Sequence, residues 1–153
     1  MNVIESNPFG PLDPTALAAF EAELRGSLPA DYRAFLLQHN GPLVEPTEFR
    51  VADYCDSIDE HFYGLHSEAH RDLRELYLQT PDEFPSDLFP IAEDGGGNYV
   101  CVGLGGRFGS RVYFLDHELF DEDDDTAAVI QIAESFNQFL DGLFEYNEDD
   151  EVA

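Results

Sequence analysis

Three short apolar runs, Leu88 to Ala92, Tyr99 to Leu104 and Arg111 to Leu115, are separated by two glycine-rich stretches in the second half of the chain. Short apolar runs bounded by turn residues are the pattern of consecutive strands with tight connections, so a β-meander is predicted here. Val100, Val102 and Leu104 share one side of the second strand, and Val112 and Phe114 one side of the third. A sheet with one consistently apolar face needs helices to cover it.

Helical spacing appears on both flanks. After a Pro- and Gly-rich lead-in at residues 7–11, Asp13 followed by Pro14 supplies an N-cap acceptor and a first-turn proline. Leu17, Phe20, Leu24 and Leu28 then recur at helical spacing, which predicts a helix to about Arg25, closed near Gly26. Pro29 opens a second helix with Tyr32, Phe35, Leu36 and His39 on one face, stopped by Asn40-Gly41. The two are expected to form a helical hairpin.

Between Pro42 and Gly64 apolar residues alternate sparsely, predicting strands near Phe49-Arg50-Val51 and Phe62-Tyr63-Gly64-Leu65 around an acidic loop. Ser67 is placed to cap a third helix from Glu68 to about Leu78, ended by Thr80-Pro81 and Phe84-Pro85. Downstream, Val129, Ile132, Ala133, Phe136, Phe139, Leu140 and Leu143 predict a long amphipathic helix from Thr126 to about Phe144. The preceding acids would favour its N-terminal dipole. The expected fold is α+β: one domain over residues 1–153, with a mixed, mostly antiparallel sheet centred on the meander and packed against about four helices. The ends, 1–12 and 147–153, are expected to be poorly ordered.

Charge narrows the function. The chain carries 33 acidic residues and seven basic ones, all arginine, for a formal net charge of −26. That field repels phosphate backbones and anionic membrane surfaces and attracts basic partners. Two isolated cysteines, Cys55 and Cys101, fit a reducing compartment. With neither a basic, apolar leader nor an apolar stretch of about 18 residues, a cytoplasmic location is expected.

Several blocks form a familiar series. Leu28-Pro29-Ala30-Asp31-Tyr32-Arg33-Ala34-Phe35-Leu36 with Asn40-Gly41 resembles the corresponding segment of the SUKH superfamily. The resemblance continues through 62–65, 89–98, 112–118 and 133–140 in family order, covering roughly Pro14 to Leu143. Pro42 replaces a usual second glycine, and no tryptophan accompanies Asp116-His117. The resemblance implies an α+β fold and a non-enzymatic role. Many bacterial members are immunity proteins that neutralise a toxin, often a nuclease, and fungal members regulate cell-wall assembly. Family binding surfaces vary, so no site residue transfers.

Residue chemistry offers few rivals. Asp94-Gly95-Gly96-Gly97-Asn98 lacks the Gly-Lys-Ser/Thr ending of a phosphate loop, and Gly103 to Gly109 misses dinucleotide spacing at Phe108. Both are better read as turns needing positive φ. His61, His66 and His70 lie near acids, but a cap at Ser67 breaks the single helical face that metal ligands would need. Asp116-His117-Glu118 has no nucleophile elbow beside it, and Cys101 reads as a packing residue. Asp121 to Asp125 lacks the spacing of an EF-hand loop.

The carboxylates remain as candidates for partner binding: Asp53, Asp56, Asp59, Glu60, Asp94, Asp121, Glu122, Asp123, Asp124 and Asp125. They read either as solvated surface or as an anionic mimic of nucleic acid that plugs a basic cleft. The leading expectation is an immunity-type protein that occludes a cognate basic toxin, as a monomer or weak homodimer, without cofactor, catalysis, nucleic acid or membrane. A regulatory or scaffold module recruiting a cellular protein is the alternative, and a metal-dependent enzyme is third.

Overall fold

The structure, a computed structural model, describes residues 1–65, 72–79 and 85–145. The three expected strands of the meander, β5 (Leu88–Glu93), β6 (Tyr99–Gly103) and β7 (Val112–Leu115), are joined by an unexpected fourth, β8 (Val129–Ala133), in that order. Every neighbouring pair is antiparallel. Two small antiparallel sheets accompany it, β1 (Asn2–Glu5) with β2 (Leu43–Glu45), and β3 (Glu48–Val51) with β4 (Tyr54–Ser57). Helices α1 (Pro14–Glu21), α2 (Ala30–Gln38), α3 (Leu73–Gln79) and α4 (Phe136–Asp141) complete an α+β fold.

The two N-terminal helices begin where their caps dictate. The Asp13 carboxylate accepts from Thr15 N at 2.9 Å with Pro14 in the first turn, and Pro29 precedes Ala30. Helix α1 ends four residues short of expectation, at Glu21, and its Glu21 carboxylate meets Arg33 of α2 at 2.9 Å. Gly26 holds φ at +154°, and a Cβ there would run into the Leu104 carbonyl oxygen, which already accepts from Ser27 N at 3.0 Å. That glycine therefore seats the α1–α2 connection directly on the end of β6.

The core confirms one face of the meander and adds a second. Phe89, Ile91, Val100, Val102, Val112 and Phe114 face the helices and pack with Phe20, Tyr32, Phe35, Phe136 and Phe139 in the main cluster. Tilted and edge-on ring contacts run from Phe20 through Phe89, Tyr32 and Phe136 to Phe139. The other face is also apolar: Leu88, Cys101, Tyr113 and Leu115 are buried under Phe108 and Ala128. The β6–β7 turn supplies that cover, with Tyr113 donating to the Phe108 carbonyl at 2.7 Å. Strands buried on both faces carry near-continuous apolar sequence, as these do.

Four sequence expectations need correction. Residues 126–144 do not form one helix: Val129–Ala133 is a strand paired with β7, and only Phe136–Asp141 is helical, capped by Ser135 on Gln138 N at 3.1 Å. Val129, Ile130 and Ile132 are β-branched, and the outer edge of β7 needs ladder partners, so pairing prevails over the helical spacing. The acids before Thr126 thus precede a strand and meet no helix dipole. The second strand predicted for the acidic region lies at Tyr54–Ser57, while 62–65 is extended chain touching neighbours at isolated bridges. Residues 1–12, expected as a loose end, contain β1, paired with β2. The predicted start of the third helix, with Ser67, His66, His70 and Thr80-Pro81, lies outside the described residues, as does the end at 147–153.

Candidate functional site: an uncompensated carboxylate surface

The β3–β4 hairpin turns through Ala52, whose φ of +52° is in the left-handed region, and puts Asp53 and Tyr54 at its tip. Across β3–β4, Val51 pairs with Tyr54 and Phe49 with Asp56. Directly opposed residues share a face, so Tyr54 and Asp56 lean inward at the rim of the main core. The Tyr54 ring stands edge-on to Phe114 with centroids 6.5 Å apart.

That rim meets the β5–β6 turn. The Asp94 carboxylate closes its own glycine turn, accepting from Gly96 N at 2.7 Å, Asn98 N at 3.0 Å and Asn98 Nδ2 at 2.8 Å. Asn98 Oδ1 in turn accepts from His117 N at 2.9 Å and lies 2.6 Å from His117 Nδ1. A side chain at Gly97 would come within 3.3 Å of the His117 ring, and φ there is +94°. The glycine run is thus explained by backbone geometry and a close imidazole.

Asp56 of β4 stands beside Asp94, near enough for the two carboxylates to act on each other's protonation. Burial, then the neighbouring Asp94, pushes Asp56 up to about 6. Burial acts on Asp94 in the same sense but is outweighed by Asp56 and by hydrogen bonds from Asn98 and the turn amides, which hold it below the usual carboxylate range. Asp116, at the end of β7, caps a single 3-10 turn by accepting from Glu118 N at 3.0 Å. Its charge also acts on Tyr54, whose hydroxyl is raised by burial and then by the Asp116 and Asp56 charges.

The sequence candidates therefore divide. Asp53, Asp56 and Asp94 gather around Tyr54, and Asp59 lies beside the same turn, its carboxylate 3.3 Å from where a Gly95 Cβ would stand. Glu60 instead borders an open cleft of about 580 Å³ floored by Val44, Pro46 and Ile58. Asp121 to Asp125 form an exposed loop held by its own turns: Asp121 accepts from Asp123 N at 2.9 Å and Asp124 from Thr126 Oγ1 at 2.7 Å. Asp125 is bound to Arg107 at 2.7 Å, and Arg107 forks onto Asp87 at 2.9 Å. Arg107 sits in the β6–β7 turn, at the opposite end of β6 from Asp94, so the acidic run is drawn away from the Asp56–Asp94 surface. Sequence reading missed Asp116, Tyr54, Leu119 and Phe120. Only the tertiary contact between the β3–β4 hairpin and the end of β7 reveals them.

Catalytic groupings do not assemble. Among the described residues no group of three or more His, Cys, Asp and Glu side chains is arranged to hold a metal. His117 is engaged by Asn98, His61 by Glu5 at 2.8 Å, and burial pushes the Cys101 thiol far above its ordinary value. What the surface offers is anionic hydrogen-bond acceptors beside an aromatic ring, a fit for guanidinium and ammonium groups. Among the described residues no helix is long and apolar enough to cross a membrane.

Comparison with known proteins agrees with this architecture. The SPbeta prophage-derived uncharacterized protein YokK of Bacillus subtilis (strain 168) is 30% identical over 145 residues, which cover 83% of this chain and 72% of that protein. The sequence model of the SMI1 / KNR4 family (SUKH-1) matches residues 11–142. The alternating blocks, the meander and the helices that cover it thus have one source: the chain belongs to the SMI1 / KNR4 family, SUKH-1.

Proposed function

We propose that the chain is a non-enzymatic protein-binding module of the immunity type, which neutralises a basic toxin by covering its active site. The observation that carries this reading is where the arginines stand. Arg33, Arg74, Arg107 and Arg111 pair with Glu21, Glu23, Asp87 with Asp125, and Glu134. Arg50 lies over the Phe144 ring, and Arg25 reaches Ser86. Among the described residues, none of these contacts neutralises the Asp56, Asp94 and Asp116 surface. Asp56, raised by burial, weakens the fold when ionised, a cost that a cationic partner would relieve. The net charge of −26 would steer that partner and speed its capture.

The test is co-expression with any toxin-like protein encoded directly upstream of this gene, and an isolated gene would weaken the reading. Growth should be restored by this chain, and the purified pair should associate at least about tenfold more weakly when salt rises from about 50 to about 500 mM. Failure to protect would overturn the immunity reading. Association that ignores salt would overturn the charge argument, and capture of a non-toxic cellular protein would favour a regulatory module.

A further inference from the structure

We infer that Tyr54, Leu119 and Phe120 are the apolar centre of the partner-binding surface, and that they seat an apolar side chain of a basic protein whose arginines or lysines reach Asp56, Asp94 and Asp116. This rests on the reading of the chain as a binder of a basic protein and names where that binding occurs.

The large apolar side chains exposed among the described residues fall into two groups. Met1, Ile4 and Phe9 belong to the N-terminal segment, whereas Tyr54, Leu119 and Phe120 are 41%, 48% and 37% exposed and lie on the β3–β4 hairpin and in the turn that follows β7. Tyr54 stands edge-on to Phe114 with centroids 6.5 Å apart, two residues before Asp116, which caps the 3-10 turn whose last residue is Leu119, with Leu119 N donating to Asp116 O at 3.0 Å. The apolar atoms are therefore held by a short, hydrogen-bonded turn against a hairpin tip. Asp53 and Asp56 belong to the same hairpin, Asp94 to the neighbouring β5–β6 turn, and the exposed Glu118 immediately precedes Leu119. An aromatic and aliphatic centre inside a charged margin is the anatomy of a protein interface, in which a few central side chains carry most of the affinity.

Charge selects the occupant. A second copy of this chain would bring the same carboxylates against themselves, and an anionic bilayer would be repelled in the same way. A small cation would satisfy the acids and leave the apolar centre in water. A basic protein surface with a projecting apolar residue satisfies both parts, because its cations add to carboxylate oxygens that can each accept more than one hydrogen bond.

The test uses the full-length chain, labelled with 15N, and two probe peptides: Arg-Arg-Leu-Leu-Arg-Arg and its control Arg-Arg-Gly-Gly-Arg-Arg. The leucine peptide should shift the amides of Tyr54, Asp94 to Asn98 and Asp116 to Phe120, and should bind at least about fivefold more tightly than the control. Leu119→Ser, at an exposed position, should abolish that preference while leaving the remaining amide spectrum in place. Shifts confined to Asp121–Asp125 or to the Glu45 cleft, or a leucine preference unchanged by Leu119→Ser, would overturn the assignment. Toxin protection retained in Leu119→Ser together with such shifts removes this surface and leaves the immunity reading intact. The expected peptide map without toxin protection removes immunity and leaves the surface.

Discussion

Asn40 and Leu65 hydrogen-bond to each other twice: Asn40 Oδ1 accepts from Leu65 N at 2.7 Å and Asn40 Nδ2 donates to Leu65 O at 3.0 Å. Asn40 Nδ2 also donates to Gly10 O at 3.1 Å, and Asn40 N donates to Asn7 Oδ1 at 2.8 Å. A buried amide thus ties the segment before α1 and the chain at Leu65 to the end of α2, each side-chain atom satisfied.

Replacing that amide strands several buried main-chain groups at once. Asn40→Leu is expected to lower stability by about 2 to 4 kcal/mol, since each orphaned partner carries its own desolvation penalty. A fall in melting temperature of roughly 4 to 16 °C would follow for a chain of this size. Calorimetry showing no fall would mean that water or a neighbour replaces the amide.

Tyr32 is the opposite case. It is 1% exposed among Phe89 and Phe136, and its hydroxyl meets no hydrogen-bond partner among the described residues. Tyr32→Phe keeps the ring contacts and removes the stranded hydroxyl. A gain of about 1 kcal/mol is expected in urea denaturation, and a loss of that size would show that the hydroxyl has a partner in solution.

The Asp56–Asp94 pair makes stability depend on pH. The folded state raises Asp56 from 3.8 to about 6, so it binds that proton more tightly than the unfolded chain. The contribution of Asp56 favours the fold below its unfolded value and declines as pH rises through about 4 to 6. Asp94 is lowered, so its contribution has the opposite sign: present above its unfolded value and lost in acid. Asp56→Asn should therefore be more stable than the native chain at pH 7 and lose that advantage toward pH 4. Urea titrations of both proteins across this range check it, and an advantage independent of pH would show that Asp56 is not raised in the folded state.

Arg107 holds the acidic loop to the far end of the meander through Asp125 and Asp87. Arg107→Gln should speed amide exchange at Asp123, Thr126 and Ala127, whose hydrogen bonds lie within that loop. High salt should speed exchange in the native chain and change the variant less, because the pairs are exposed. Equal exchange in the two proteins would show that the loop's own turns suffice.

How much could be read in advance depended on whether a residue's partner was local. The Asp13 and Pro14 start of α1 and the glycine turns of the meander were legible because each is fixed within a few residues. The strand at Val129–Ala133 was not, because its spacing suits a helix and only the open edge of β7 makes it a strand. The second buried face was visible in part: Leu88, Cys101, Tyr113 and Leu115 are apolar, yet alternation drew attention to Val100 and Val112. Among the ten carboxylates, type and charge were plain from the start. That Asp125 is neutralised by Arg107 and that Asp56 stands beside Asp94 was not, since those partners are 18 and 38 residues away.

By itself, then, the sequence determined the α+β class, the glycine turns, two helix starts and a strongly negative surface, all consequences of local conformation and summed charge. Tertiary structure alone decided which carboxylates meet, which are cancelled by arginine, and that Tyr54 stands against Phe114 near the end of β7. The reason is physical: a pattern along a chain encodes which face is buried, whereas the neighbour across a contact is set by how separate elements pack.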